Sequence, residues 1–232
     1  MTRQNEHGQP VGVALGHWER PGFPAAEEMA GRTVTLVPLD PDSHTADLYS
    51  VLATAPESLW TYMTFGPFSS ADALEETLSA MTALDDWLPF AIVVDNRPLG
   101  FASYLRIQPA DGVIEIGAIT MSPPLQRSTP ATEAIFSMID NAFALGYRRV
   151  EWKCDDLNEP SRKSAVRFGF TFEGTFRQAT HYKGRNRDTA WYSIIDAEWP
   201  PLRETFLRWL DPENFDAEGR QRRGLGETRE GK

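Results

Sequence analysis

The stretch that decides the fold is residues 112–146, which reads GVIEIGAITMSPPLQRSTPATEAIFSMIDNAFALG. Its first part, Val113–Met121, is apolar and β-prone enough for a strand with one largely buried face. Pro123 and Pro124 end that strand, because proline cannot continue a ladder. Apolar residues then recur at helical spacing as far as Gly146, a typical helix stop. The segment therefore predicts a strand, a short polar turn and a helix.

The turn between this strand and helix is a candidate anion site. Thr129 is suited to the helix N-cap, and Pro130 to the first helical position. The first amides of such a helix point into the gap at the sheet edge, where they and the helix dipole suit a phosphate group. An ordinary strand-to-helix corner is the alternative interpretation of the same residues.

The composition indicates a globular chain. Its 232 residues have 41% hydrophobic content, enough for one sizeable core. No run approaches the roughly 20 apolar residues that cross a bilayer, and the N-terminus lacks the apolar core of a signal peptide. Cys154 is the single cysteine, which excludes an intrachain disulfide and fits a reducing compartment. We therefore expect a cytoplasmic protein.

We predict three parts along the chain. Residues 1–31 are rich in Gly, Pro and polar residues and predict an irregular N-terminal arm. Residues 32–210 predict a single domain, and the polar residues 211–232 predict a disordered tail. Within the domain, strands cluster with intervening helices, which indicates an α+β or mixed α/β sheet.

The formal charge of −10 arises from 33 acidic and 23 basic residues. This balance disfavours nonspecific binding to nucleic acid or to an anionic membrane, and it favours a cationic substrate through long-range steering. Simple solubility is the alternative explanation. Four scattered histidines and one cysteine show no metal-ligand spacing, so we expect no metal site.

A second stretch of chemical interest runs from Asn158 to Phe170 and has the pattern N-x-x-S-x-x-x-x-x-x-x-G-F. Asn158 suits a helix cap, and Ser161 suits the first turn of the helix. Taken alone, each residue is more often structural than functional.

Together the two stretches resemble the GNAT superfamily of acyl-CoA-dependent N-acyltransferases, within it the branch that includes RimJ- and RimL-like enzymes. The resemblance covers roughly residues 32–195 and implies a central, twisted, mostly antiparallel sheet flanked by helices. In that superfamily a Q/R-x-x-G-x-G/A turn holds the coenzyme A pyrophosphate. The residues at the matching positions and just after them are Gln126, Arg127, Ser128, Thr129, Ala131 and Thr132. Thr129 replaces the central glycine, a residue that allows close backbone approach to a ligand.

The resemblance implies acetyl transfer from acetyl-CoA to a primary amine by direct attack in a ternary complex. It implies that backbone N–H groups near Thr120 and Met121 stabilise the oxyanion, and that a bulge in their strand opens a slot for the pantetheine arm. Asn158 would then meet the coenzyme A arm. Ser161 would lie near the thiol end and donate a proton to the thiolate or hydrogen-bond it.

Glu115 is the candidate general base, since glutamate at this place serves as a base, often through water, in several GNAT enzymes. A carboxylate in a partly apolar cleft has a raised pKa. A structural or solvent-facing glutamate is the alternative. Glu151, on the following strand, is the reserve candidate for the base and a candidate substrate contact.

Four aromatic residues (Trp60, Tyr62, Phe65 and Phe68) precede the second predicted helix, in a region that lies over the acceptor pocket of the resembled family. Trp60, Tyr62 and Phe65 are therefore candidate walls of the substrate site. Aromatic residues in a loop more often pack that loop onto the core, which is the alternative for all three.

The implied partners are an amine-bearing small molecule or a protein N-terminus, and relatives are often homodimers. A noncatalytic acyl-CoA-binding protein with the same fold is the rival hypothesis. Thr129 favours it, and Glu115, Asn158 and Ser161 oppose it. A nucleotide-binding Rossmann domain is a third hypothesis, disfavoured because no G-x-G-x-x-G follows a first strand.

Overall fold

A computed structural model describes residues 3–230 of the chain. The strands are β1 (Arg3–Gln4), β2 (Pro10–Val11), β3 (Met29–Ala30), β4 (Thr35–Pro38), β5 (Leu88–Val94), β6 (Arg97–Gln108), β7 (Val113–Met121), β8 (Arg149–Asp155), β9 (Thr171–Tyr182) and β10 (Arg185–Ile195). The helices are α1 (Pro41–Leu52), α2 (Ala71–Thr82), α3 (Thr129–Ala144), α4 (Glu159–Phe168), α5 (Trp199–Leu210) and α6 (Leu225–Glu230). Short 3-10 turns span Glu57–Trp60 and Pro212–Asn214. None of these helices is long and apolar enough to cross a membrane.

Eight of these strands form one sheet in the order β3-β4-β5-β6-β7-β8-β10-β9. Neighbouring strands are antiparallel except β7 and β8, which run parallel because α3 crosses over between them. The predicted α+β sheet of mostly antiparallel strands is therefore confirmed.

Alternation along β6 shows that helices cover both faces of the sheet. Tyr104 faces α3, and its hydroxyl donates to the Met138 carbonyl at 2.5 Å. The larger apolar cluster on this side also includes α4 and α5. Phe101 faces the opposite side, where it packs with α1 and α2 in a second cluster.

The predicted strand, turn and helix are confirmed, but the helix cap is one residue earlier than predicted. Ser128, not Thr129, is the N-cap of α3, and its Oγ accepts the N–H of Ala131 at 3.1 Å. Thr129 is therefore the first helical residue, and Pro130 is the second. Both Ser and Thr are good caps, so the local sequence alone does not choose between them.

The N-terminal arm has more structure than predicted. β1 and β2 pair as a small hairpin, and β3 pairs with β4, so the main sheet begins at residue 29. Trp18 anchors the arm through its Nε1, which donates to the Gly146 carbonyl at 3.2 Å. The arm is therefore folded onto the domain that it precedes.

The prediction of a disordered tail over residues 211–232 is wrong for its described part. Phe215 and Gln221 form a β-bridge, and Leu225 is 2% exposed in the larger apolar cluster. A few apolar anchors thus hold a segment whose overall composition is polar. Residues 1–2 and 231–232, the outer ends of the predicted arm and tail, lie outside the described residues.

Candidate active site

The site is built where β7 and β8 separate. The two strands pair only where Val113–Glu115 of β7 lies beside Arg149–Glu151 of β8. Beyond these residues β7 continues to Met121 and β8 to Asp155. Beyond Glu115 the gap leaves one edge of β7 without a partner strand. An extended ligand with amide groups could pair with this edge as a strand does.

A bulge in β7 explains the separation. Between the pairs Phe101–Thr120 and Ser103–Gly117, two residues of β7 oppose one residue of β6. One of the two, Ala118, has a left-handed φ of 50°. Such a bulge bends its strand and increases the twist, so β7 turns away from β8. The structure therefore contains the bulge that the resemblance implied.

Hydrogen bonding along β6 and β7 shows which amide faces the gap. Ser122 donates its N–H to the Leu99 carbonyl at 3.2 Å, and bonded pairs alternate along an antiparallel ladder. The N–H of Met121 therefore points away from β6 and into the gap. Thr120 lies opposite Phe101 at the next bonded position, so its N–H points toward β6. Of the two predicted oxyanion donors, Met121 is the one whose amide faces the site.

The turn after β7 is held by local hydrogen bonds. Leu125 and Gln126 donate their N–H groups to the Ser122 carbonyl at 2.9 and 3.0 Å. The side chain of Gln126 bends back, and its Nε2 donates to the Met121 carbonyl at 2.9 Å. Gln126 thus shapes the turn and occupies the carbonyl of Met121 while leaving its N–H available.

Three successive amides of this turn are available to a ligand. Within residues 3–230 the N–H groups of Arg127, Ser128 and Thr129 make no hydrogen bond of standard distance and angle. Arg127 has a left-handed φ of 58°, and the N-terminus of α3 follows at once. Successive amides in such a turn form a concave anion site, which the helix dipole reinforces.

Ala131 and Thr132 lie deeper, each 5% exposed. The Thr132 hydroxyl donates to the Ser128 carbonyl at 3.3 Å and accepts from Arg167 of α4 at 3.2 Å. Thr132 therefore links α3 to α4, and Ala131 is buried in the larger apolar cluster.

Asn158 and Ser161 lie at the start of α4, on the β8 side of the gap. Asn158 caps the helix, since its Oδ1 accepts the Ser161 N–H at 3.2 Å. The hydroxyl of Ser161 accepts the indole N–H of Trp152 at 3.0 Å, so its own proton can be donated elsewhere. Burial raises the pKa of the nearby Cys154 thiol above its ordinary value, which makes it a poor nucleophile.

Glu115 and Glu151 face each other at the last paired position of β7 and β8, and each is 6% exposed. Neither carboxylate is isolated. Glu115 Oε2 forms an ion pair with Lys153 Nζ and lies 3.5 Å from Arg106 Nε. Glu151 Oε1 accepts from Arg149 Nε at 2.9 Å. Burial raises the pKa of Glu115 to about 7, against the opposing charge of Lys153. A carboxylate with such a pKa can accept a proton near neutrality.

Lys153 is a site residue that the sequence analysis missed. Its side chain is 9% exposed, and its Nζ lies 4.1 Å from the centre of the Trp191 ring. Burial lowers the pKa of Lys153, and the carboxylate of Glu115 opposes that shift. A signal was present in the segment RRVEWKC, because the charged residues of β8 alternate with Val150 and Trp152 and so share one face.

The turn between β9 and β10 closes over the loop that contains the predicted aromatic residues. Lys183 Nζ donates to three backbone carbonyls of this loop, those of Trp60, Phe65 and Gly66, at 2.8, 3.3 and 2.8 Å. The neighbouring Tyr182 hydroxyl donates to Asp155 Oδ2 at 2.8 Å, at the end of β8. The hairpin and the loop therefore form a roof over the open end of the gap.

The three aromatic candidates differ in position. Trp60 is 3% exposed and meets Phe68 edge-on at 5.1 Å, so its ring belongs to the second apolar cluster. Phe65 is half-buried and stacks on Phe68 at 6.2 Å. Tyr62 is half-buried and lies between the two in sequence. The packing interpretation therefore holds for Trp60, while Tyr62 and Phe65 retain exposed surface for a substrate.

Comparison with known proteins identifies the family. A model of the acetyltransferase (GNAT) domain matches residues 33–171. The chain belongs to the GNAT acetyltransferase family. A GCN5-related N-acetyltransferase from Brucella melitensis is 41% identical, with a TM-score of 0.90 over 93% of this chain and 100% of that one. A probable GNAT-family acetyltransferase from Chromobacterium violaceum is 40% identical, with a TM-score of 0.79 over 82% of this chain and 97% of that one.

More distant GNAT structures share the fold. An acetyltransferase from Salmonella typhimurium that modifies the N-terminal serine of the 50S ribosomal subunit protein L7/L12 is 22% identical. It superposes with a TM-score of 0.65 over 73% of this chain and 99% of that one. A comparison with curated protein sequences found no significant match.

The GNAT site of this chain has the donor groups that a phosphate-bearing, extended ligand requires. The amides of Arg127, Ser128 and Thr129 suit a pyrophosphate, and the free edge of β7 suits an amide-containing arm. In residues 3–230, no three His, Cys, Asp or Glu side chains are grouped so that they could hold a metal ion. The residues that are present thus fit coenzyme A.

Proposed function

We propose that this protein transfers an acetyl group from acetyl-CoA to a primary amine by direct attack in a ternary complex. The observation that carries the proposal is the gap between β7 and β8. It combines a free strand edge, a helix N-terminus with three available amides, and a buried glutamate with a pKa near neutrality.

The cosubstrate supplies an activated thioester, and the chain supplies its binding groups. The amides of Arg127, Ser128 and Thr129 bind the pyrophosphate, and Gln126 keeps the turn in shape. The pantetheine arm lies along β7, where Asn158 reaches it from the start of α4. Its Oδ1 is occupied by the Ser161 amide, so the side chain would contact the arm through Nδ2, as a donor.

The bond changes then follow from the groups around the gap. The amine nitrogen attacks the thioester carbon, a C–N bond forms and the C–S bond breaks. Oriented N–H groups stabilise the oxygen that carries the transient negative charge, and the amide of Met121 would do so from the free edge of β7. The departing thiolate takes a proton or a hydrogen bond from Ser161, whose hydroxyl is oriented by Trp152.

The attacking amine must lose a proton, and Glu115 accepts it directly or through water. Its burial keeps the pKa high enough for this at neutral pH. Glu151 is the reserve candidate, but its carboxylate is already paired with Arg149 and lies 3.7 Å from Lys153 Nζ. The raised pKa of Glu115 favours it as the base, and the contact with Arg149 gives Glu151 a supporting position beside it.

The acceptor is an amine-bearing small molecule or a protein N-terminus, and the chain acts in the cytoplasm without direct nucleic-acid or membrane partners. The net charge of −10 supports a cationic acceptor. Tyr62 and Phe65, in the loop that Lys183 holds, would contact the acceptor. A homodimer is the assembly that the family resemblance suggests.

The rival hypothesis of a noncatalytic acyl-CoA-binding protein rested on Thr129. In the structure Thr129 is the first residue of α3, and the left-handed residue of the turn is Arg127. A glycine conformation is therefore not required at Thr129, so the departure from the family pattern does not by itself damage the turn.

The deciding experiment is calorimetric titration of the purified protein with acetyl-CoA, with NAD as the control. We expect saturable binding of acetyl-CoA and none of NAD. Thiol release would then be followed with a panel of small amines and of peptides with free or blocked N-termini. If the folded protein does not bind acetyl-CoA, the proposal fails. If it binds but releases no thiol with any acceptor, the noncatalytic hypothesis replaces it.

A further inference from the structure

Six charged side chains share one region of the sheet beside the gap, and we call them the charged cluster. They are Arg106, Glu115, Arg149, Glu151, Lys153 and Glu173. Three carry positive charge and three carry negative charge. The cluster is therefore neutral when every member is ionised, although it lies in a strongly acidic chain.

Half of this cluster is withdrawn from solvent. The side chains of Glu115, Glu151 and Lys153 are only 8%, 7% and 9% exposed. Charges buried to this extent require partners, and removing one partner leaves the other charge uncompensated. The state of each carboxylate thus depends on the cation beside it.

Lys153 has a central place among the cations of the cluster. Its Nζ contacts Glu115 Oε2, lies 3.7 Å from Glu151 Oε2, and lies 4.1 Å from the Trp191 ring centre. Arg106 contacts only Glu115 of these two carboxylates, and Arg149 contacts only Glu151. Lys153 is the cation of the cluster that lies close to both carboxylates at the last paired position of β7 and β8.

The two oxygens of Glu115 have different surroundings. Oε2 is buried against Lys153. Oε1 lies beside Gly117, 3.2 Å from the point where a Cβ would stand, and Gly117 directly precedes the bulged residue Ala118. The ammonium group thus fixes one oxygen, and the other is directed toward the start of the gap.

We propose that Lys153 is a positioning residue that keeps Glu115 ionised and holds its Oε1 toward the gap, so that this oxygen can accept the proton of the acceptor amine. The proposal rests on the function proposed above. It assigns Lys153 no contact with either substrate. Lys153 acts on the reaction through Glu115 alone.

The charges around Glu115 predict the effect of losing this ammonium group. Lys153 and Arg106 both favour the carboxylate, whereas Glu151 opposes it. The remaining members, Arg149 and Glu173, bind each other through two hydrogen bonds at 2.7 and 2.5 Å. Without Lys153, Glu115 would remain buried beside a like charge with only the more distant Arg106 to offset it, and its proton affinity would rise.

The test uses the full chain with Lys153→Met, which keeps most of the length of the side chain and removes its charge. Lys153→Arg retains the cation, and Lys163→Met is the matched control, because Lys163 is 74% exposed and pairs with Glu159 on the outside of α4. Carbon-13 NMR of side-chain-labelled glutamate measures the titration of Glu115, assigned with Glu115→Gln. The pH dependence of kcat/KM and the affinity for acetyl-CoA are measured in parallel.

We expect the titration midpoint of Glu115 to rise by about one pH unit or more in Lys153→Met. The apparent pKa of the acidic limb of the kcat/KM profile should rise by the same amount, so that kcat/KM at pH 6 falls roughly tenfold. The affinity for acetyl-CoA should stay within about twofold of the wild type. Lys153→Arg keeps the positive charge, so its Glu115 midpoint should lie close to the wild-type value. Lys163→Met should leave the midpoint unchanged. An unchanged Glu115 midpoint in folded Lys153→Met overturns the proposal. The NMR readout needs no acceptor, so it decides this question even if no acetyl transfer is found.

A variant that fails to fold is also informative. Lys153→Met is then combined with Glu115→Gln, which removes the charge that Lys153 supports. Recovery of folding in the double variant supports the proposal, because the loss arose from an uncompensated Glu115 carboxylate. Failure of the double variant to fold overturns it, since Lys153 would then be required for reasons unrelated to Glu115.

Discussion

Replacement of Thr129 by proline would remove one amide from the proposed pyrophosphate site and leave the backbone in place. Thr129 is the first residue of α3, where proline is well tolerated because that N–H has no partner in the helix. The preceding residue, Ser128, has φ −97° and ψ 164°, an extended conformation that suits a residue before proline. Pro130 already follows, so the restriction on residue 129 is already present. We therefore expect no loss of stability.

The expected loss of affinity comes from a single hydrogen bond. A hydrogen bond to a charged group contributes about 1.5–3 kcal/mol. A loss of about 2 kcal/mol corresponds to a Kd for acetyl-CoA that is roughly 30-fold weaker. Thr129→Ala removes the same side chain and keeps the N–H, so it should bind acetyl-CoA within about twofold of the wild type.

Calorimetric titration of the three proteins with acetyl-CoA measures this difference, and circular dichroism checks that α3 is intact. S-acetylpantetheine, which lacks the pyrophosphate, should bind all three proteins equally. Equal acetyl-CoA affinities of Thr129→Pro and Thr129→Ala would refute the assignment of this amide. An equal loss in both would show that the threonine side chain is the binding group.

Three further predictions concern the base, the proton donor and the roof. Glu115 has a pKa of about 7 when folded against 4.5 as its ordinary value, so the folded state binds this proton more tightly and stability falls as pH rises from 4.5 to 7. Relative to Glu115→Gln, the wild type should lose about 3 kcal/mol of unfolding free energy across this interval, measured by urea titration at each pH; parallel pH profiles would contradict the raised pKa. Ser161→Ala should lower kcat on the order of 10²-fold while acetyl-CoA affinity changes little, and undiminished turnover would exclude a role in thiolate release. Lys183→Met removes the bonds to the Trp60, Phe65 and Gly66 carbonyls, so hydrogen exchange of residues 60–66 should accelerate roughly tenfold and the acceptor KM should rise, whereas Arg185→Met, at an exposed position of the same hairpin, should change neither.

The parts of the fold that local patterns determine were predictable. The strand Val113–Met121 is rich in apolar, β-prone residues and the helix that follows has a clear 3.6-residue period, and both are confirmed. The N-cap was predicted one residue late, because the left-handed conformation of Arg127 decides where the helix starts and no residue type there signals it. The polar tail was predicted as disordered, because one buried residue such as Leu225 hardly changes a composition average.

Contacts between distant segments were not predictable from a single sequence. Lys183 and Trp60 are more than a hundred residues apart, and only the folded hairpin brings the ammonium group to that carbonyl. Alternation along β8 placed Lys153 on the same face as Glu151. It could not place either residue opposite Glu115, since that depends on the register in which β7 and β8 pair.

The register of β7 and β8 brings the charged cluster together, and its local effect on an acceptor differs from the long-range effect of the net charge. The chain carries a net charge of −10, yet the charged cluster beside the gap has equal numbers of cations and anions. Long-range attraction of a cationic acceptor must therefore arise from carboxylates outside the cluster. Inside it, the three cations and the three carboxylates offset one another, so the cluster adds no net charge that would hold the acceptor as an ammonium ion. The unprotonated amine, the form whose lone pair attacks the thioester, is therefore not disfavoured at the point of reaction.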